Sequence, residues 1–342
     1  MAASNLLGSE LPLAAAPMAG GASTPRLTAA VSAAGAFAFV PGGYTSAQTL
    51  AADIAEARHS AVPFGVNLFV PGPGEISEAA FQQYARALRP EAERHGVQLP
   101  DDMAVTADDG WAEKLDLLLT DPVPVVSMTF GLPSPQEVAA LRKAGSRVLV
   151  TVTTVAEARS AADVGADGLV AQGSAAGGHS GTHDPARAIT PTPTGQLAQD
   201  VIAATGLPTV AAGGVDGPPA VAELLAAGAC AVAIGTLLLR TDESGASQTH
   251  KDALADPQFT ETVITRAFTG RPARALRNRF VDRYDAIAPT GYPAINALTR
   301  GLRQAAAAAG DPHGLHLWAG TGYRNAPSGS ARKVIERLSQ TL

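Results

Sequence analysis

The chain has 342 residues, of which 46% are apolar and only 16% charged, enough to bury a large core and more than one simple domain requires. A formal charge of -6, without a basic tail or an aromatic-basic repeat, argues against nucleic acid and points to a small neutral or anionic partner. No Lys or Arg precedes Arg26 and no apolar stretch reaches about 18 residues, so the expectation is a cytoplasmic protein with no signal peptide and no membrane span.

Aliphatic runs at 13–16, 36–40, 64–68, 123–127, 148–152, 168–171, 207–211 and 230–234 predict eight strands. Helical patterns at 46–58, 135–144, 155–164, 194–205 and 219–227 fall between them. Four times a helical stretch reaches a glycine just before a strand, at Gly35, Gly145, Gly165 and Gly228, where a helix end calls for a left-handed residue. Strand and helix in alternation imply a parallel sheet, and eight such units imply a closed (β/α)8 TIM barrel; an open doubly wound sheet is the rival. The single Cys230, inside the last run, cannot form an internal disulfide and reads as a small buried hydrophobe.

Two regions fall outside the eightfold repeat. Residues 1–72 and 119–245 are expected to form the barrel, and 73–118 with 246–342 a helical insertion plus a C-terminal lid. The insertion carries a long polar helix over 75–95. The tail holds Phe259, Phe268, Phe280, Tyr284, Tyr292, Trp318 and Tyr323, which either cap the barrel or line a substrate pocket. Six arginines between Arg266 and Arg283 read as a solvated helical face, against an anion-steering patch at a pocket mouth.

The run from Gln172 to Gly181 follows the sixth strand. Its small residues, among them Gly177 and Gly178, let something flat approach the backbone, and one imidazole, His179, stands at the mouth. His183 reads as a supporting or solvent-facing loop residue. Gly213 and Gly214 end the seventh strand, and Ala233, Ile234, Gly235 and Thr236 end the eighth. Both turns face one corner of a barrel, where free N–H groups and a helix N-terminus bind phosphate.

These residues carry a resemblance to a known family. Ala16, Pro17 and Met18 in the stretch 16–25, Asn67 in 65–69, the loop 172–181, the turns 212–214 and 233–236, and the segment 315–324 are ordered and spaced as in bacterial nitronate monooxygenases, formerly 2-nitropropane dioxygenases. The likeness runs from about residue 12 to residue 325.

The resemblance implies an FMN-dependent barrel enzyme that oxidises alkyl nitronates, such as propionate 3-nitronate, with O2 to a carbonyl compound and nitrite. It implies FMN contacts at Ala16, Pro17, Met18, Asn67, Gln172, Gly177, Gly178, Gly213, Gly214, Ala233, Ile234, Gly235 and Thr236, with His179 as the catalytic histidine. An amide such as Asn67 or Gln172 can match the donor and acceptor edge of a flavin ring. An imidazole of ordinary pKa, near 6.5, suits binding of an anionic nitronate or proton transfer from a neutral nitroalkane. Many relatives carry Glu where Ala175 or Ala176 stands, so the reaction can differ within the same cofactor site.

The partners expected are a nitronate or nitroalkane and O2, and the assembly a monomer or homodimer. A flavin-dependent enoyl-ACP reductase is the alternative enzyme, and a cofactor-free barrel binding a phosphorylated metabolite the alternative binding protein. No metal is expected: His313 and His316 lack a third ligand, and Gly320 and Gly322 follow no predicted strand, so they form no dinucleotide fingerprint.

Overall fold

A computed structural model describes residues 6–59, 62–72, 76–103, 108–340 and 342. Strands β1 (Leu13–Ala15), β2 (Phe37–Pro41) and β3 (Gly65–Phe69) alternate with helices α1 (Pro25–Ser32) and α2 (Ala47–Arg58). Ser46, expected inside α2, caps it instead, its hydroxyl accepting from the Thr49 N–H. Helices α3 (Glu78–His95) and α4 (Trp111–Thr120) come before β4 (Val125–Thr129). The expected start of α3 at Glu75 lies outside the described residues.

The repeat then runs through α5 (Pro135–Ala144), β5 (Arg147–Val152), α6 (Val155–Asp163) and β6 (Gly168–Gln172). A capping box of Ser134 and Glu137 fixes the start of α5. After β6 come a short strand β7 (Gly178–His179), α7 (Thr194–Thr205), β8 (Thr209–Ala212), α8 (Pro218–Ala226) and β9 (Ala231–Ile234). All four glycines read as helix ends have positive φ, from 85° at Gly35 to 104° at Gly145.

Eight parallel strands close into a barrel in the order β1, β2, β3, β4, β5, β6, β8, β9. Closure is set where Ala14 pairs with Phe37 on one side and with Ala233 on the other. Both faces of the strands are buried, as a parallel barrel requires, so they read as continuous aliphatic runs without alternation. The fold is a (β/α)8 TIM barrel.

The tail is less helical than expected. It contains α9 (Gln248–Ala253), the hairpin β10 (Thr262–Thr265) and β11 (Ala273–Leu276), α10 (Arg279–Tyr284), α11 (Ala294–Ala308) and α12 (Ala331–Leu338). The hairpin takes β7 as a third strand, with Ala273 opposite His179 and Arg274 opposite Gly178. A separate apolar cluster joins α3 to this tail through Phe81, Tyr84, Leu88, Phe268, Ile295 and Leu298. Cys230 is half-buried rather than fully buried, and desolvation pushes its thiol up to about 11, so it stays protonated and unreactive at neutral pH.

Candidate active site at the carboxyl ends of the strands

A cavity of about 630 Å³ opens at the carboxyl ends of the barrel strands, within the usual range for small-molecule sites. Every residue expected at the site lines it except Ile234. The Ile234 side chain packs into the barrel core, and its carbonyl accepts from the Ala16 N–H at 2.8 Å.

The glycine turns build a cradle for an anion. Gly213 and Gly214 both have positive φ, 109° and 78°, which bends the chain away from β8 as the cavity wall begins. Among the described residues, the N–H groups of Gly213, Gly214, Gly235 and Thr236 donate to no protein acceptor. Four unspent donors at two neighbouring strand ends are what an anionic group needs and what an apolar ligand would leave unsatisfied. The Thr236 hydroxyl accepts from the Gly320 N–H at 2.9 Å, which brings the tail segment against the same turns.

The two amides divide the work differently from the sequence reading. Gln172 donates to the His179 carbonyl at 3.1 Å and accepts from the Gly181 N–H at 2.6 Å, so it clamps the glycine loop while lining the cavity. Asn67 donates its Nδ2 to the Ser127 hydroxyl at 2.7 Å and to the Thr129 hydroxyl at 3.0 Å. The Ser127 carbonyl also lies within reach of Nδ2 and can only accept, which fixes the orientation of the amide and leaves Oδ1 for the cavity.

His179 is held by the tail. Its Nε2 is 2.9 Å from the Thr269 hydroxyl, and its ring sits among Trp318 at 5.3 Å, Phe130 at 5.7 Å and Tyr292 at 5.7 Å between centroids. Burial first, then the positive charges of Arg271 and Arg303, push its pKa down to about 3. The expectation of an ordinary histidine is therefore corrected: the ring is neutral at physiological pH, and Nδ1 is the nitrogen left for a ligand.

Positive charge enters the site from residues the sequence reading passed over. Arg303 donates Nη2 to the Asn296 carbonyl at 2.7 Å and Nε to the Thr299 hydroxyl at 3.1 Å. No carboxylate among the described residues pairs with it, and desolvation lowers its pKa to about 10, still well above neutral pH. Nothing in the local sequence marks it, because it lies on one face of the alanine-rich α11 and gains its meaning only when that helix crosses the barrel mouth.

The arginines from 266 to 283 also depart from expectation. They lie mostly on and beside the β10–β11 hairpin, and Arg271 is only 4% exposed, with its guanidinium carbon 3.9 Å from the Phe130 ring centre. Arg277, paired with Glu261 and Asp282, and Arg283 on α10, paired with Glu91, are exposed and fit the expected solvated, acid-paired face; Arg279 on the same helix is half-buried against Glu91 and Asp311. Of the seven tail aromatics, Trp318 lines the main cavity and Tyr292 an adjoining one, whereas Phe268 and Phe280 stack on each other in the cap. His183 supports the loop, its N–H bonded to Glu157 and its Nε2 3.0 Å from the Thr151 carbonyl. His313 packs on Phe259, and His316 lines the main cavity with its Nδ1 unpartnered.

Fold and cavity together define a (β/α)8 barrel with a candidate active site at the carboxyl ends of the strands. Residues 3–341 match the nitronate monooxygenase family. The chain is 33% identical to a probable nitronate monooxygenase of Staphylococcus aureus, over 97% of this chain and 94% of the relative. Its structure matches nitroalkane oxidase from Streptomyces ansochromogenes at a TM-score of 0.94 and 45% identity, covering 99% and 98% of the two chains. A FabK mutant from Thermotoga maritima is more distant, at a TM-score of 0.71 and 26% identity over 98% and 92%. The chain belongs to the nitronate monooxygenase family and is an oxidoreductase.

Proposed function

We propose that this chain is an FMN-dependent oxidase of alkyl nitronates that uses O2 and releases a carbonyl compound and nitrite. The observation that carries the reading is the pairing, in one cavity, of an unspent amide cradle with an uncompensated guanidinium, in a chain of this family. The cradle of Gly213, Gly214, Gly235 and Thr236 fits the phosphate of FMN, and Ala16, Pro17, Met18, Gly177, Gly178 and Ala233 supply a backbone-rich wall for its ring. Asn67 offers Oδ1 to a ring N–H. FMN, when bound, supplies the electron transfer from nitronate to dioxygen.

The chain's own residues position the substrate. A nitronate is already deprotonated, so no base is required, and a histidine held near pKa 3 is a weak one. Arg303 attracts the negative charge, His179 Nδ1 and the rings of Trp318 and Phe130 set its orientation, and their apolar surface excludes water. The barrel, residues 1–72 and 119–245, holds the cofactor in this reading, and the insertion and tail form the substrate side.

The purified protein is expected to be yellow and to release FMN on denaturation. Mixing it anaerobically with a nitronate should bleach the flavin band, and adding O2 should restore it with formation of nitrite. NADH oxidation driven by an enoyl thioester, with no response to nitronate, would overturn the proposal. Because His179 stays neutral above about pH 3, kcat/KM is expected to run level through pH 6.5 when followed from pH 5 to 8. An acid limb centred there would mean that the ring works as the cation.

A further inference from the structure

Thr269, whose hydroxyl meets His179 Nε2, stands in the turn between β10 and β11, and the insertion and the tail pin that turn almost peptide by peptide. The Arg266 N–H and the Thr265 hydroxyl both donate to Asp285, at 2.8 and 2.7 Å. The Ala267 carbonyl accepts from the Tyr84 hydroxyl at 2.6 Å, and the Phe268 carbonyl from the Thr299 hydroxyl. The Gly270 carbonyl accepts from the Gly291 N–H at 3.1 Å. Thr269 thus reaches His179 from a stretch of backbone in which each of the two preceding carbonyls is fixed by one side chain.

Both donors are buried, Tyr84 at 1% exposure and Thr299 at none. Burial raises the pKa of the Tyr84 phenol, so it keeps its proton, and the carbonyl opposite can only accept. The polarity at Thr299 is equally settled. Arg303 Nε–H, 3.1 Å away, can only donate, so the hydroxyl accepts there and gives its one proton to Phe268. Thr299 therefore ties the cation of α11 to the turn that holds the histidine. A buried carbonyl that loses its donor is left unsatisfied or moves toward another one, so removal of either hydroxyl shifts the turn.

Tyr84 differs from Thr299 in where it comes from. It lies on α3, in the insertion, 183 residues before its acceptor, and it lines neither the main cavity nor the adjoining one. Its ring packs in the cap with Phe81, Leu88 and Phe268.

Resting on the nitronate reading above, we infer that Tyr84 is a positioning residue for the reaction: its hydroxyl, delivered by the insertion helix, fixes the Ala267 carbonyl and with it the turn from which Thr269 orients His179. Thr299 acts on the same turn from α11. The signature lies in the rate more than in binding, because a tilted imidazole still admits substrate but meets the reacting group out of line.

Tyr84→Phe keeps the ring and removes the hydroxyl. In the flavin-loaded enzyme it is expected to lower kcat about 10- to 10²-fold, with KM within about twofold and flavin content unchanged. Leu88→Ala, one turn further along the same buried face of α3, is the packing control: it should lower the melting temperature at least as far and leave kcat within about twofold. In a His179→Asn background Tyr84→Phe should cost nothing more, since its effect runs through that ring. Thr299→Ser keeps the hydroxyl and should retain the parent rate, whereas Thr299→Val should not. A parental kcat in Tyr84→Phe, an equal loss in Leu88→Ala, or an undiminished loss in the His179→Asn background would overturn the assignment. Nitrogen-15 resonances of the histidine rings separate this claim from the nitronate reading, because they need no turnover. A shift of the His179 signals in Tyr84→Phe but not in Leu88→Ala supports the positioning role even if no nitronate is oxidised, and unmoved His179 signals in Tyr84→Phe overturn it.

Discussion

Arg303→Met is expected to lower kcat/KM for nitronates by about 10²- to 10³-fold while leaving FMN content unchanged, the scale seen when one preorganised donor is removed from a reacting anion. The reason is electrostatic. His179 is neutral, so the charge that faces the main cavity without a carboxylate partner comes from α11, where Arg303 is half-buried and Arg300 exposed. Methionine keeps the apolar stem and loses the charge together with the bonds to Asn296 and Thr299, so melting temperatures of both proteins should be compared. Arg303→Lys keeps the charge and should recover part of the rate. Steady-state rates within threefold of the parent in Arg303→Met would show that the nitronate is held elsewhere.

Gly214→Val is expected to abolish flavin retention, leaving less than about a tenth of the parent's bound FMN after gel filtration. Gly214 has φ of 78°, a region that a β-branched residue enters only with strain of roughly 1–2 kcal/mol. Its added Cβ would also stand 3.3 Å from that of Ala175, closing the turn on the glycine loop opposite. Either relaxation moves the amides of Gly213 and Gly214 relative to those of Gly235 and Thr236. Gly145→Val is the control: φ is 104° there, the space around it is open, and the cradle is far away. That variant should lose stability and keep its flavin. Full flavin in Gly214→Val would place the phosphate outside the cradle.

The barrel was legible because a closed parallel sheet writes itself into local sequence. The barrel strands are buried on both faces and the barrel helices other than α4 end at a glycine or begin at a capping hydroxyl, so runs such as 148–152 and 168–171 need no long-range information. The glycine turns of the cavity were legible for the same reason, since Gly213, Gly214, Gly235 and Thr236 lie within a few residues of strand ends. The wall opposite them was not. Arg271, Arg303, Tyr44 and Phe130 come from four separate segments, and no spacing in the chain links them. Gln172 lines the cavity, but its clamp on residues 179 and 181 could not be read from the sequence, because it depends on how the loop folds back. The depressed pKa of His179 likewise arises from burial first and then from Arg271 and Arg303, about a hundred residues away, none of which a local reading meets.

The pairing of Gly178 and His179 with Ala273 and Arg274 has a consequence for synthesis. A nascent chain that has just cleared Ile234 possesses all eight barrel strands, yet the His179 ring lacks its hydrogen-bond partner, because Thr269 and the strand that pairs with β7 have still to be made. Making the last barrel strand and aligning the histidine are thus successive events on the ribosome, and the barrel's outer layer itself waits for α12, whose Val334, Ile335 and Leu338 pack in one cluster with Leu13 and Ile234.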